Sequence, residues 1–169
     1  MLFRSHPGEP DGVNACLIYA DTYASLDSIN PNDPVLAFIP AYNIGGMINR
    51  NSTSRANQNG PEIYGFRGNA QNLDLNRDFT KMDSKNANTF VRIFHAINPD
   101  VFVDNHVSNG ADYQYTLTYI SSVKERIAPS LRKLIYGSML PQLTQALKKH
   151  KWDLFPYVET IRETPDSGI

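Results

Sequence analysis

The chain lacks several features that point to whole classes of protein. Cys16 is its only cysteine, so no internal disulfide can form, and its apolar surroundings predict a buried, inert thiol. No apolar run approaches the roughly 18 residues that span a bilayer, and the opening residues lack a signal peptide's apolar region. The formal net charge of -1 gives no general attraction to nucleic acid. We therefore expect neither a membrane-spanning segment nor a nucleic-acid partner.

The composition is that of a globular protein with a sizeable core. Of the 169 residues, 41% are hydrophobic and 20% are charged, which suits one domain of ordinary size. Both ends look cut, because the first candidate site begins at the sixth residue and residues 163–169 resemble a turn that enters another element. We interpret residues 1–169 as a single partial domain. Its cellular location is left open, and export is expected only if a signal precedes the fragment.

Hydrophobic periodicity predicts alternating helices and strands. Apolar residues at helical spacing predict helices over residues 10–26, 87–97, 123–139 and 141–151. Apolar or alternating runs predict strands over residues 35–39, 101–106 and 113–119, the first of them buried on both faces. Such alternation indicates an α/β fold. Residues 43–80 show little periodicity but carry regularly placed aromatic and aliphatic residues, which favours a packed functional loop.

A stiff turn near the start of the chain carries two potential metal ligands. His6 and Glu9 are three residues apart, so their side chains return to the same side of a helical turn, and Pro7 and Pro10 restrict the backbone. Zinc accepts nitrogen from histidine and oxygen from glutamate. His106 follows an apolar strand, where ligands bind in open α/β sheets. Taken alone, the His6/Glu9 pair favours an ordinary surface turn, because histidine and glutamate three residues apart occur often by chance.

These residues, with a segment between them, resemble the zinc carboxypeptidase family typified by carboxypeptidase A. The segment is Arg67-Gly-Asn-Ala-Gln-Asn-Leu-Asp-Leu-Asn-Arg-Asp-Phe79, and the family shows the same order of motifs. The resemblance implies a mixed, largely parallel sheet with helices on both faces, a three-layer fold that is incomplete here. It implies one zinc ion per chain, held by His6, Glu9 and His106. It also implies that Arg67 stabilises the oxyanion, and that Asn76 and Arg77 bind the substrate's terminal carboxylate.

The activity implied by the resemblance is that of a zinc metallocarboxypeptidase. Such an enzyme hydrolyses a C-terminal peptide or peptide-like amide bond with zinc-activated water, and its partner is a substrate with a free carboxylate. Family members also use a glutamate general base downstream of the third ligand. Glu125, Glu159 and Glu163 follow His106, but none lies in an apolar strand. We therefore expect the base beyond Ile169 and a nearly inactive fragment, because general acid–base groups contribute about 10²–10⁴-fold in rate.

Other interpretations remain open at this stage. The chain could belong to a zinc-dependent N-acyl amino acid deacylase, or be a non-catalytic relic that binds peptide termini. Arg67 and Arg77 could be structural arginines that pair with Asp74 or Asp78. Asp104 could orient a metal ligand or be a buried polar group without a catalytic role. Surface roles are predicted for the remaining candidates, which are Arg50, Arg55 and His95.

Overall fold

A computed structural model describes residues 1–3, 5–54, 61–108 and 113–157 of the chain. Their contacts divide it into two compact units, Met1–Asn109 and Gly110–Ile169. The expectation of one partial domain stays a prediction. None of the helices in the described ranges has both the length and the apolar character needed to cross a membrane.

The first unit combines helices with short strands. Its elements are β1 (Leu2–Phe3), α1 (Asp11–Ala24), α2 (Ile44–Ile48), β2 (Arg50–Asn51), β3 (Tyr64–Gly65), a 3-10 turn (Leu75–Arg77), α3 (Lys85–Ile97) and β4 (Asp104–Asn105). Strand β1 pairs in parallel with β4, with Leu2 opposite Asp104, and β2 pairs antiparallel with β3. Helices with parallel strands confirm the α/β class in its general form.

The predicted helix over residues 87–97 is α3, and both of its ends have identifiable caps. At the start, the Ser84 hydroxyl accepts a hydrogen bond from the Ala87 amide at 3.0 Å. At the end, Asn98 takes the left-handed conformation with φ 48°. The preceding loop is tied to this start, because the buried Asp78 carboxylate accepts from the amides of Asp83 and Ser84. The 3-10 turn is thereby held close to α3.

An aromatic cluster forms the core of the first unit. Buried Leu2, Tyr42, Leu75 and Phe90 make up its centre, and Phe79 packs against them. The Phe90 ring centroid lies 5.8 Å from that of Tyr42 and 5.2 Å from that of Phe79. Such pairs contribute about 0.5–1.5 kcal/mol each beyond the area that they bury. The core thus fixes β1 and the 3-10 turn, both of which lead to the candidate site.

Two predicted strands differ from the structure. The strand over 35–39 was expected to be buried on both faces, but Val35 is 99% exposed and only Ile39 makes a bridge, to Leu2. In the strand over 101–106, only Asp104–Asn105 is paired, and Val101 is 57% exposed. The prediction of burial was wrong because an apolar run reveals hydrophobicity but not how many neighbouring strands cover it.

The second unit has its own small parallel sheet. Its elements are β5 (Leu117–Tyr119), a 3-10 turn (Lys124–Arg126), α4 (Pro129–Leu134), a π-helical turn (Ile135–Met139), α5 (Leu140–Lys148) and β6 (Leu154–Pro156). Strand β5 pairs in parallel with β6, and the rings of Tyr115 and Phe155 stack at 4.3 Å. The helices were predicted to be interrupted at Pro141, but the π-helical turn continues directly into α5, where Pro141 lies in the first turn.

Candidate metal centre

Two of the candidate ligands lie on the turn between β1 and α1. The Glu9 amide donates to the His6 carbonyl at 3.0 Å, and this bond closes the turn that holds Pro7. The His6 and Glu9 side chains are only 5% and 3% exposed. A buried carboxylate and imidazole need partners, because isolated polar groups are costly to remove from water.

His106 reaches the same place because of the parallel pairing of β1 with β4. The carboxyl ends of parallel strands lie at the same edge, so the residues that follow the two strands become neighbours. The ring centroids of His6 and His106 are 5.0 Å apart. One potential ligand atom from each of His6, Glu9 and His106 lies within 4.8 Å of the others. The group could therefore bind a metal ion, as the sequence predicts.

Glu9 bridges the two histidines through its separate carboxylate oxygens. Its Oε1 lies 2.9 Å from Nδ1 of His6, and its Oε2 lies 2.9 Å from Nδ1 of His106. The Val107 amide also donates to Oε2, at 3.3 Å. Both imidazoles thus present the same nitrogen, Nδ1, to one point beside the carboxylate.

The protonation of this group follows from its contacts. Burial raises the pKa of Glu9, but hydrogen bonds and charge from His106 and His6 outweigh it and lower the pKa from 4.5 to about 2. Burial lowers the pKa of His106, but hydrogen bonds and charge from Asp104 and Glu9 raise it from 6.5 to about 9. At neutral pH the metal-free centre therefore holds a positive imidazolium beside a negative carboxylate. A metal cation would replace that proton, as metal binding to histidine requires.

Two aspartates contact the outer nitrogens of the histidines. Asp74 Oδ1 lies 3.2 Å from Nε2 of His6, and Asp104 Oδ2 lies 2.9 Å from Nε2 of His106. Carboxylates in this position fix the tautomer and the orientation of a ligating imidazole. Of the two interpretations open for Asp104, contact with a candidate ligand is the one found. Asp74 was considered from the sequence only as a partner of the arginines, and its contact with His6 was missed.

Arg67 is joined to the centre through Asp74. Its Nε donates to Asp74 Oδ2 at 2.9 Å, while the other oxygen of the same carboxylate contacts His6. Burial opposes ionisation of Asp74, but the hydrogen bond and charge of Arg67 outweigh it and lower its pKa. This contact is the structural pairing considered from the sequence. It also holds the half-buried Arg67 guanidinium near the candidate ligand His6, with the Asp74 carboxylate between the two side chains.

Asn76 and Arg77 lie on the 3-10 turn beside the same aspartate. The Asn76 amide donates to Asp74 Oδ1 at 2.9 Å, which fixes the start of the turn. Arg77 is exposed, and its Nη1 donates to the Asn76 carbonyl at 3.0 Å. Among the described residues, no other hydrogen bond or ion pair engages the Arg77 guanidinium. It makes no pair with Asp78, so the pairing considered for it is absent from the described part of the chain.

Asn43 is a supporting residue that the sequence reasoning missed. Its side chain is fully buried and donates to the carbonyls of Ser5 and Arg67, both at 3.2 Å. Its Oδ1 accepts from the Gly46 amide at 2.9 Å and so caps α2. One amide group thus ties the loop before His6 to the loop that carries Arg67. Nothing in the local pattern of residues 40–46 distinguishes such an asparagine from one in an ordinary turn.

The remaining candidates fall outside the centre. Arg50 is exposed and donates to the Ile63 carbonyl at 2.8 Å, which is a contact between loops. His95 is exposed on α3 and contacts the ring of Phe94. Glu125 is exposed on the second unit's 3-10 turn. Arg55, Glu159 and Glu163 lie outside the described residues. No described glutamate is therefore assigned as a general base.

Comparisons with protein-family models, with curated proteins and with solved structures found no match for this chain. Membership of the zinc carboxypeptidase family and the choice of zinc as the metal therefore stay predictions.

Proposed function

We propose that this chain carries the metal centre of a zinc-dependent metallocarboxypeptidase, a hydrolase that acts on C-terminal peptide or peptide-like amide bonds. The observation that carries the proposal is the convergence of two imidazole nitrogens and one carboxylate within 4.8 Å. Under this proposal the α/β arrangement of the first unit belongs to a three-layer carboxypeptidase-like fold with a mixed, largely parallel sheet.

The donor set supports zinc over calcium or magnesium. Two nitrogens and one oxygen suit a catalytic zinc site, which keeps its fourth position for water or substrate. Calcium and magnesium prefer all-oxygen sites, which the two histidines do not offer. His6 and Glu9 are buried, whereas the His106 side chain is 29% exposed. The centre is therefore open to solvent on the side of His106, where a substrate could approach it.

The basic residues near the centre supply complementary charge. When bound, zinc would act as a Lewis acid and lower the pKa of a bound water to about 7. Arg67, held by Asp74 through Nε, has its terminal N–H groups available for the oxyanion that develops at a scissile carbonyl. Arg77 and Asn76 would bind a terminal carboxylate, which a planar guanidinium meets with two parallel hydrogen bonds.

The proposal is tested by the metal content of the purified protein. After chelator treatment and incubation with zinc, elemental analysis should find about one zinc per chain, as a three-ligand site predicts. His106→Ala should lose that zinc, because two ligands remain. His95→Ala is the matched control, since it removes an exposed histidine of the same unit, and it should keep the zinc. Equal zinc content in His106→Ala and the unsubstituted protein would refute the ligand assignment.

A further inference from the structure

Polar atoms without partners lie buried in the first unit, and one of them belongs to the aspartate that contacts His106. Within the described ranges, neither the Tyr42 hydroxyl nor Asp104 Oδ1 has a hydrogen-bond partner, although both atoms are shielded from solvent. Leaving such a group unpaired costs about 1–3 kcal/mol, and native proteins contain few of them. One of these groups is a hydroxyl donor and the other a carboxylate acceptor, so a single water between them could satisfy both.

The two groups belong to the same region of the core. The Phe90 ring lies 5.8 Å from the Tyr42 ring and 5.6 Å from the Phe102 ring, two residues before Asp104. Burial raises the pKa of Tyr42 to about 12, with further contributions from the charges of Asp78 and Asp104. The Asp78 oxygens already accept from two backbone amides. Asp104 Oδ1 is therefore the nearby carboxylate oxygen that still needs a donor.

We propose that Tyr42 is a positioning residue for the metal centre, whose hydroxyl donates to Asp104 Oδ1 through one buried water. The carboxylate then has both oxygens fixed, one by Tyr42 and one by Nε2 of His106. A buried water needs polar partners, and the Tyr42 hydroxyl and Asp104 Oδ1 would supply two of them. This inference rests on the proposed metal site, and it adds to that site a residue outside the ligands and their direct partners.

The consequence for His106 is a fixed tautomer. When Asp104 Oδ2 accepts the Nε2 proton at 2.9 Å, Nδ1 is the nitrogen left to bind a metal beside Glu9. If the Asp104 carboxylate could rotate, the Ser5 hydroxyl would compete with it for the hydrogen bond to His106, because that hydroxyl already lies 3.4 Å from Nε2. Tyr42 prevents this rotation by holding the second oxygen in place. Removing its hydroxyl should therefore weaken metal binding although Tyr42 contacts no ligand.

The test is a double-mutant cycle read out as zinc affinity, measured by competition with a chromogenic chelator. Asp104→Asn should lower zinc affinity roughly 10–100-fold, the range for partners of ligating histidines, and Tyr42→Phe by up to about tenfold. The double variant should match Asp104→Asn alone, because Tyr42 acts through that carboxylate. Tyr19→Phe, which removes a half-exposed hydroxyl from α1, is the matched control and should bind zinc normally.

Each outcome has a defined meaning. Unchanged zinc affinity in Tyr42→Phe, or losses that add up in the double variant, would overturn the role of Tyr42 and leave the metal centre intact. Absence of zinc from the unsubstituted protein would overturn the metal centre and this inference together.

Thermal unfolding gives an independent readout. Tyr42→Phe should melt lower, since it leaves Asp104 Oδ1 unpaired. A higher melting temperature of Tyr42→Phe would mean that the hydroxyl has no partner. Loss of folding would mean that the hydroxyl is needed for the core rather than for the metal centre. Either result would overturn the inference.

Discussion

Gly46 is the position at which a single methyl group should test the packing of the candidate centre most directly. A Cβ added there would lie 2.5 Å from the Gly68 carbonyl oxygen and 2.8 Å from Pro7 Cγ, and it would also collide with the Phe66 carbonyl oxygen. None of these atoms belongs to a flexible side-chain end. Pro7 lies between the ligands His6 and Glu9, and the two carbonyls flank Arg67. The methyl group would thus push the ligand turn away from the arginine loop.

The expected magnitude follows from these separations. Ordinary contacts lie near 3.5 Å, so Gly46→Ala requires shifts of about 1 Å. Overpacking of this kind costs about 1–3 kcal/mol, which exceeds the gain of up to about 1 kcal/mol from placing alanine in a helix. For a chain of this length, a net loss of 1 kcal/mol lowers the melting temperature by roughly 2–4 °C. Metal sites tolerate distance changes of only about 0.2 Å, so zinc affinity should also fall.

The assay compares Gly46→Ala with Gly137→Ala by thermal unfolding and by zinc titration. At Gly137 an added Cβ meets nothing closer than Lys133 Cγ at 3.9 Å, so that variant should be neutral or slightly stabilised. A Gly46→Ala protein with the melting temperature and zinc affinity of the unsubstituted chain would refute the close packing of Pro7 against α2. Loss in both variants would show that alanine is harmful at helical glycines in general.

Two further predictions concern the segment that follows Asp74. Arg77→Ala should weaken binding of a peptide with a free carboxylate far more than of its amidated form, while zinc content stays unchanged; calorimetry that finds equal losses would indicate a structural arginine. Burial opposes ionisation of Asp78, but hydrogen bonds from Ser84 and Asp83 outweigh it and lower its pKa below 3.8. Its stabilising contribution is therefore present above that pH and is lost as the pH falls through the lower folded-state pKa. Asp78→Asn should cost about 1–3 kcal/mol at pH 7 and less in acid, by urea unfolding; a difference independent of pH would contradict this.

Helices α1 and α3 were predictable because their signals are local, whereas α2 lies in the segment that was predicted to be a loop. Ser84, the apolar spacing after it and Asn98 mark the start, face and end of α3 within one short segment. Cys16 is buried as predicted, at 4% exposure. The three candidate ligands could also be identified from the sequence, because His6 and Glu9 are neighbours in sequence and His106 follows a recognisable strand. Their proximity depends on the parallel pairing of β1 with β4, which was not predicted from the sequence. Only the family resemblance implied that the three residues form one site.

The supporting residues could not be predicted in the same way. Asn43 acts through three backbone groups that are 3, 24 and 38 residues away along the chain. No local pattern encodes such distances. Asp74 is similar, since His6 is 68 residues away. The exposure of Val35 was unpredictable for a related reason, because burial depends on which segments cover a strand, and that is a property of the assembled fold.

The brevity of the β1–β4 ladder has a consequence for folding. Within the described ranges two residue pairs define its register, and a slip by one residue turns every side chain of a strand to the opposite face. A misaligned chain would bring His106 to the wrong side and could not complete the centre with His6 and Glu9. A ligand that binds only the correct alignment stabilises it by about 2.7 kcal/mol at a hundredfold excess over its dissociation constant. Zinc would thereby act as a selector of strand register, and refolding with zinc present should yield a more uniform population than refolding without it.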